Sequence, residues 1–444
     1  MSLLVKINHF RAVESAEIKL DGISVLSGIN GSGKSTIANQ TYNLLSSAIH
    51  YEDIVNNNTW TKYIFPLAQA LFIASNNLTG LIDRSTLAKL TKELHPYFIG
   101  AESSDLEKLH TAIKILKQAL ESLGYISPLA KEQNKIIRFR KIFESIIGKN
   151  ANSLELPQIA IEIENYLDQI ERDAIRAKAD RKAGLFQEFW KNSFGEGNGI
   201  NPELFNVYED SVPILNTEDD NVAIPNTVKN IFYIDSPMAL GENQSYRAHW
   251  NFLNNSLKRK KSISGFDFTG GANLGLLSGN SSWEKKDNYE QFVYHRPDGK
   301  SFNLLECATG LKSFSILQML YTAGVLDGKS LLILDEPEAH LHPQWVVEYA
   351  RLVIRLHKII GVKFLIASHS PDFIRAIKHV SEYEFGEDVQ DKVCFYLAES
   401  STPDSYLYRF KKYDLNISPI FKMFNKSLEK IDIYSGIDDE DGDA

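Results

Sequence analysis

Eight residues, "GINGSGKS" from Gly28 to Ser35, constrain this chain more than any others. They match the pattern G-x-x-x-x-G-K-[ST] at every fixed position. The preceding "ISVLSG", Ile23 to Gly28, is an apolar run ending in glycine, which predicts a buried strand. Apolar Ile37, Ala38, Leu44 and Leu45 predict a helix from Lys34. A strand, a glycine-rich turn and a helix in that order form a cradle for phosphate. The glycines let successive backbone N–H groups face one anion, and the helix adds its positive N-terminal end. Gly28, Asn30, Gly31, Ser32, Gly33 and Thr36 are then candidate nucleotide contacts, Lys34 reaches the β- and γ-oxygens, and the Ser35 hydroxyl is a candidate Mg²⁺ ligand.

Such a loop needs a distant carboxylate for the metal. "SLLILDE" supplies one, with Asp335 and Glu336 closing an apolar strand. In an open α/β sheet the carboxyl end of a strand faces the ligand crevice. Asp335 is therefore expected to hold Mg²⁺, and Glu336 to act as general base on the attacking water. The next residues complete a crowded stretch, "LDEPEAHLHPQW", with three carboxylates and two histidines. A zinc site from Glu338, His340 and His342 is the weaker reading, because H-x-H on a loop lacks a third anchored ligand.

At 444 residues the chain has room for two to three domains, and its apolar and charged fractions allow a large core. Two cysteines, Cys307 and Cys394, exclude a disulfide framework and a four-cysteine zinc site, and fit a reducing cytoplasm. Neither an N-terminal apolar leader nor a run of about 18 apolar residues is seen, which predicts no membrane span. The net charge of −9 gives no whole-chain pull toward nucleic acid, although "LKRKK" and "RAKADRK" are local basic clusters.

Along the chain, residues 1–45 read as two short strands followed by the phosphate loop. Residues 46–225 read as a helical insertion, with Leu106, Leu109, Ile113, Leu116 and Leu120 at helical spacing. Residues 226–400 alternate strand and helix, which predicts parallel pairing with crossover helices, and include a hairpin turning at Pro297–Gly299. "SISGFDFTGGANLGLLSGNSS" reads as a glycine- and serine-rich loop. Residues 401–444 read as an extension with an acidic tail.

The surrounding motifs carry a family resemblance. "ATGLKSFSIL" before the acidic strand resembles the signature of ABC-type ATPases, with Thr309-Gly310 where that family has Ser-Gly. "EAHLHP" looks like its D-loop, and "IASHS" resembles its switch motif, which makes His369 the γ-phosphate sensor. The opening "INHFRAVESAEIKL" is similar to that of RecF and SMC ATPases, where the Phe-Arg pair, here Phe10 and Arg11, lies near nucleotide. The motif order is similar to the OLD/RecF-like branch. The departures are Leu311-Lys312 after the signature glycine and an indistinct glutamine loop, for which Gln244 is the candidate.

The resemblance implies an α/β fold: an ABC-type P-loop NTPase head with a mixed sheet and a large helical insertion. It implies ATP and Mg²⁺ as cofactors, hydrolysis by Glu336, and two heads sandwiching two nucleotides, hence a homodimer or higher even oligomer. The stretch after the last motif is too short for the Toprim nuclease of OLD proteins. That plan resembles ATPase subunits of bacterial anti-phage systems such as Septu, retron-associated and PARIS types, whose effector nuclease is separate. Three readings stay open: an ATPase controlling an effector, a RecF-like DNA clamp, and a module whose ATP is structural.

Overall fold

The computed structural model describes residues 2–95, 106–124, 130–147, 154–194, 203–241, 248–259, 278–286, 289–402 and 405–425. Three strands open the chain: β1 (Leu3–Phe10), β2 (Val13–Lys19) and β3 (Ile23–Ser27). They lead into α1 (Lys34–Ile49). Seven helices follow: α2 (Tyr51–Thr59), α3 (Phe65–Asn77), α4 (Arg84–Leu94), α5 (Leu106–Gly124), α6 (Ala130–Ile147), α7 (Leu156–Asp180) and α8 (Ala183–Phe194). Short strands then return as β4 (Phe205–Glu209), β5 (Val212–Pro213), β6 (Leu215–Asn216), β7 (Asn221–Val222) and β8 (Asn230–Ile234). After α9 (Ala248–Leu257) come β9 (Asn280–Lys286), β10 (Tyr289–His295) and β11 (Ser301–Asn303). The remainder is α10 (Thr309–Thr322), β12 (Ser330–Asp335), α11 (Pro343–Ile360), β13 (Lys363–Ser368), α12 (Pro371–Phe385), α13 (Val389–Lys392), β14 (Val393–Ser400) and β15 (Tyr408–Asp414).

Contacts divide the chain into two compact units, Met1–Ile49 with Trp190–Ala444, and His50–Phe189. The first holds a ten-stranded mixed sheet in the order β5-β4-β1-β2-β15-β14-β3-β13-β12-β8. The run β14-β3-β13-β12-β8 is parallel throughout. Its strands are apolar without alternation: all five residues of β3 are buried, as are five of the six in β12. That pattern belongs to strands covered on both faces. The cover includes α10, α11 and α12, whose Leu317, Tyr349, Val353 and Phe373 share one core with Val25, Leu332 and Phe364. Parallel pairing puts the carboxyl ends of β3, β13, β12 and β8 side by side, with Ser27 opposite Ser368, Ala367 opposite Asp335 and Leu334 opposite Ile234.

The second unit is helical. Its core brings Leu67, Leu71, Leu109, Ile113, Leu116, Leu120, Phe139, Phe143, Ile163 and Leu167 together, so α5 buries the face its spacing predicts. Asp83 caps α4 by accepting from Thr86 N, and Glu155 opens α7 through a reciprocal capping box with Gln158. α7 ends at its C-cap Arg181, which takes a left-handed conformation and lays its guanidinium over the Tyr51 ring.

Three expectations change. Residues 46–225 are not helical throughout: β4 to β7 occupy 205–222, and β4 pairs with β1 because "FNVYE" presents Phe205 and Val207 to the buried face. Residues 401–444 are not simply an appendage, since β15 sits between β2 and β14 inside the main sheet. The glycine- and serine-rich stretch ends earlier than expected, because β9 begins at Asn280, while most of it lies outside the described residues, as does the acidic tail. The hairpin is found where predicted, β10 returning to β11 around Gly299. No helix among the described residues is long and apolar enough to cross a membrane.

Candidate functional site

The phosphate loop joins the end of β3 to the start of α1. Gly31 and Gly33 have φ of +83° and +98°, a region that L side chains disfavour. Gly33 has a second requirement, because a Cβ there would stand 2.6 Å from Val13 Cγ2. The turn between β1 and β2 thus backs the loop directly. Arg11 lies in that turn at φ +54°, its guanidinium over the Phe10 ring. Gly33→Ala should therefore cost stability on the order of 2 kcal/mol or more, from backbone strain and contact together. Gly31→Ala, with open space around the added carbon, carries the strain alone. Chemical denaturation of the two variants side by side checks the difference.

Lys34 is 5% exposed, and its ammonium donates to Gly28 O at 2.8 Å and Ile29 O at 2.9 Å. Burial pulls its pKa below that of an ordinary lysine, against the raising influence of Glu336, Asp335 and Glu338. A partly desolvated cation held over a loop of backbone amides suits a phosphate chain. Ser32 Oγ is buried with no hydrogen-bond partner, a further polar group within the loop. Asn30 is exposed in the loop, and Thr36 is half-buried on the first turn of α1.

The acidic strand end meets the loop directly. Ser35 Oγ donates to Asp335 Oδ1 at 3.0 Å, and the Tyr233 hydroxyl donates to Asp335 Oδ2 at 2.9 Å. Burial raises the Asp335 pKa, and these two hydrogen bonds oppose the rise. Burial and the nearby carboxylates push the Tyr233 phenol far up, which keeps it a donor. Ser35 and Asp335 give an all-oxygen pair, the donor chemistry that a hard cation such as Mg²⁺ takes. Beside them, Asp235 at the end of β8 accepts from Trp250 Nε1 at 2.7 Å and lies 3.2 Å from His249 Nε2.

Glu336 adopts φ +51°, fixed by donation of its N–H to Ala367 O at 2.8 Å. Its carboxylate lies 3.1 Å from His369 Nδ1. Lys34, Ser35, Asp335, Glu336 and His369 thus gather at neighbouring strand ends. Thr309 and Gly310 do not join them: among the described residues no hydrogen bond or ion pair links either to that group. They start α10, with Gly310 packed so closely on Trp345 and Leu341 that an added Cβ would come within 3.2 Å of both. The crowded loop also separates by direction. Glu338 turns toward Ser368–Ser370, whereas His342 caps α11 by accepting from Gln344 N, so these two do not converge on a common ligand.

Gln244 lies outside the described residues. Sequence reasoning passed over Tyr233, Asp235 and His249. Tyr233 and Asp235 lie at the end of β8, whose place beside β12 depends on sheet order, and His249 lies on α9.

The AAA ATPase domain family matches residues 3–374. A search of curated proteins finds no significant match. Among solved structures, a crystal structure of an Smc head bound to the C-winged helix domain of ScpA is similar at 10% identity, with a TM-score of 0.36, over 94% of this chain and 98% of that one. An Smc head with an extended coiled coil, bound to the C-terminal domain of ScpA and derived from Pyrococcus furiosus, is similar at 9% identity and a TM-score of 0.32, over 96% and 98%. The SMC head domain from Thermotoga maritima is similar at 13% identity and a TM-score of 0.26, over 47% and 64%.

Proposed function

Because the chain belongs to the AAA ATPase domain family, we propose that it binds and hydrolyses ATP in the ABC manner, at a site shared between two copies. The observation that carries this reading is the Ser35–Asp335 hydrogen bond, which brings the phosphate loop and the acidic strand end into one group with Glu336 and His369 beside it. In this reading the amides of Gly31 to Ser35 and the Lys34 ammonium hold the phosphates. Mg²⁺, when bound, would be held by Ser35 and Asp335 and would neutralise charge on the phosphate oxygens. Glu336 accepts the proton of the attacking water, and His369 contacts the γ-phosphate. Thr309-Gly310 of a second copy offers the N-terminus of α10 to that phosphate. By the resemblance of its motif order to the OLD-like branch, closure of the pair serves to control a separate effector, a nuclease, in anti-phage defence.

The test is phosphate release by the purified full chain, measured against protein concentration with Mg²⁺ and with EDTA. The expected result is release that needs Mg²⁺ and rises faster than linearly with protein as pairs form. ATP binding without Mg²⁺-dependent release at any concentration would leave only a nucleotide-bound module.

A further inference from the structure

Glu338 has no part in the hydrolysis scheme above, yet at 8% exposed it is the one carboxylate buried among the described residues. One oxygen, Oε1, accepts three hydrogen bonds: from Ser368 Oγ at 2.6 Å, His369 N at 3.2 Å and Ser370 N at 3.1 Å. The same oxygen is 3.9 Å from His369 Nδ1. Oε2 is buried with no hydrogen-bond partner. Burial pushes the Glu338 pKa up, and the hydrogen bonds from Ser368 and the His369 backbone oppose that rise, so the carboxyl group depends on these donors. The three donors span the last residue of β13 and the turn after it that carries His369.

The other end of the link is the loop after β12. Ala339 N donates to Glu336 O at 2.9 Å and Leu341 N to Glu338 O at 3.0 Å, which makes residues 336–341 a compact double turn. Leu341 in turn packs at Gly310. A continuous path therefore runs from the start of α10, through Leu341 and Glu338, to the backbone of His369.

We propose that Glu338 is a positioning residue, which holds His369 in place and ties it to the loop from Glu336 to His342. This deepens the reading given under Proposed function and rests on it for the role of His369. If the loop, which resembles a D-loop, meets the second copy, a shift of it on pairing would be passed to the phosphate sensor through one carboxylate oxygen. Two serines complete the link. Ser368 gives the shortest of the three bonds, and Ser370 caps α12 by accepting from Phe373 N, which anchors the far side of the turn.

The chemistry separates the variants. Glutamine keeps a carbonyl oxygen that accepts the same three bonds, whereas alanine removes the acceptor. Amide hydrogen exchange of the full chain reads the link without reference to hydrolysis. In Glu338→Ala the His369 and Ser370 amides are expected to exchange about 10-fold faster or more, while Glu338→Gln keeps most of their protection. Ser368→Ala leaves the carboxylate in place but also removes Ser368 Oγ, which accepts from Ser370 N at 3.1 Å, so its readout is the His369 amide, which should move in the same direction by less. It supplies the readout should Glu338→Ala fail to fold. On phosphate release, Glu338→Ala should lower kcat with little change in KM. In a His369→Ala background it should add less than about a twofold further loss, since both act through one group.

Unchanged protection of His369 in both Glu338→Ala and Ser368→Ala would overturn the proposal, as would full additivity with His369→Ala. A wild-type chain with no phosphate release, in which the exchange pattern still follows the variants as stated, would count against the ATPase reading and leave the link itself standing.

Discussion

Glu336→Gln is expected to reduce single-turnover phosphate release by about 100-fold or more, because a positioned general base typically contributes 10²–10⁴-fold. That loss is about 2.7 kcal/mol or more in the barrier. ATP binding should stay within a few-fold of wild type. Two features of the site argue for this split. The Glu336 backbone is placed by its own N–H bond to Ala367 O and holds φ +51° whatever the side chain does, so glutamine inherits the position and loses only basicity. The carboxylate is also 41% exposed and makes no hydrogen bond to the phosphate loop; the Ser35 contact belongs to Asp335. Asp335→Asn is the contrasting variant, since it weakens the oxygen pair that suits Mg²⁺ and should raise the Mg²⁺ concentration needed for half-maximal release. A Glu336→Gln chain that releases phosphate at the wild-type rate would remove Glu336 as the base and turn attention to His369.

The parts of the site that were legible in the sequence are those where local pattern and chemistry coincide. β3 and β12 are continuous apolar runs that end in chemically specific residues, and a strand buried on both faces announces itself without any knowledge of its neighbours. The family resemblance added His369 and the Thr309-Gly310 pair, which composition alone would not have singled out. The strands that were missed are those whose identity comes from a distant partner. β15, "YRFKKYD", buries only Phe410 and carries three basic residues, so nothing local marks it as an inner strand between β2 and β14. β4 was absorbed into the helical reading because it follows a long helical region directly, although its pairing partner is β1, some two hundred positions away in the chain. Tyr233 illustrates the same limit at the site. Its hydroxyl reaches Asp335 only because β8 pairs with β12 in a register that sets Ile234 against Leu334, and register between strands about a hundred residues apart is not written in either one. Glu338 lay in plain view within the crowded loop, but whether it faced a zinc ion, a partner or the protein interior depended on where β13 ended.

Two variants, each inactive alone, should recover activity when mixed. Lys34→Ala removes the ammonium held over the phosphate loop and should lower ATP binding and release by about two orders of magnitude, the scale of a lost preorganised charge. Thr309→Arg puts a bulky cation at the first residue of α10, where the shared-site reading requires close approach of a second chain. Among the described residues Thr309 and Gly310 have no bond to the Lys34–Asp335 group, and Gly310 is backed by Trp345 and Leu341; the shared-site reading gives the start of α10 to another copy. If sites form between chains, random pairing of equal amounts makes about half the dimers mixed. In a mixed dimer one site pairs the intact Lys34 of one chain with the intact Thr309 of the other, and the second site carries both lesions. Recovery should therefore approach about one quarter of wild-type release per chain, less if the two sites must fire together. Lys34→Ala mixed with itself at the same total concentration is the control. Activity of the mixture no higher than that of the single variants would count against a site completed by Thr309-Gly310 of a second copy.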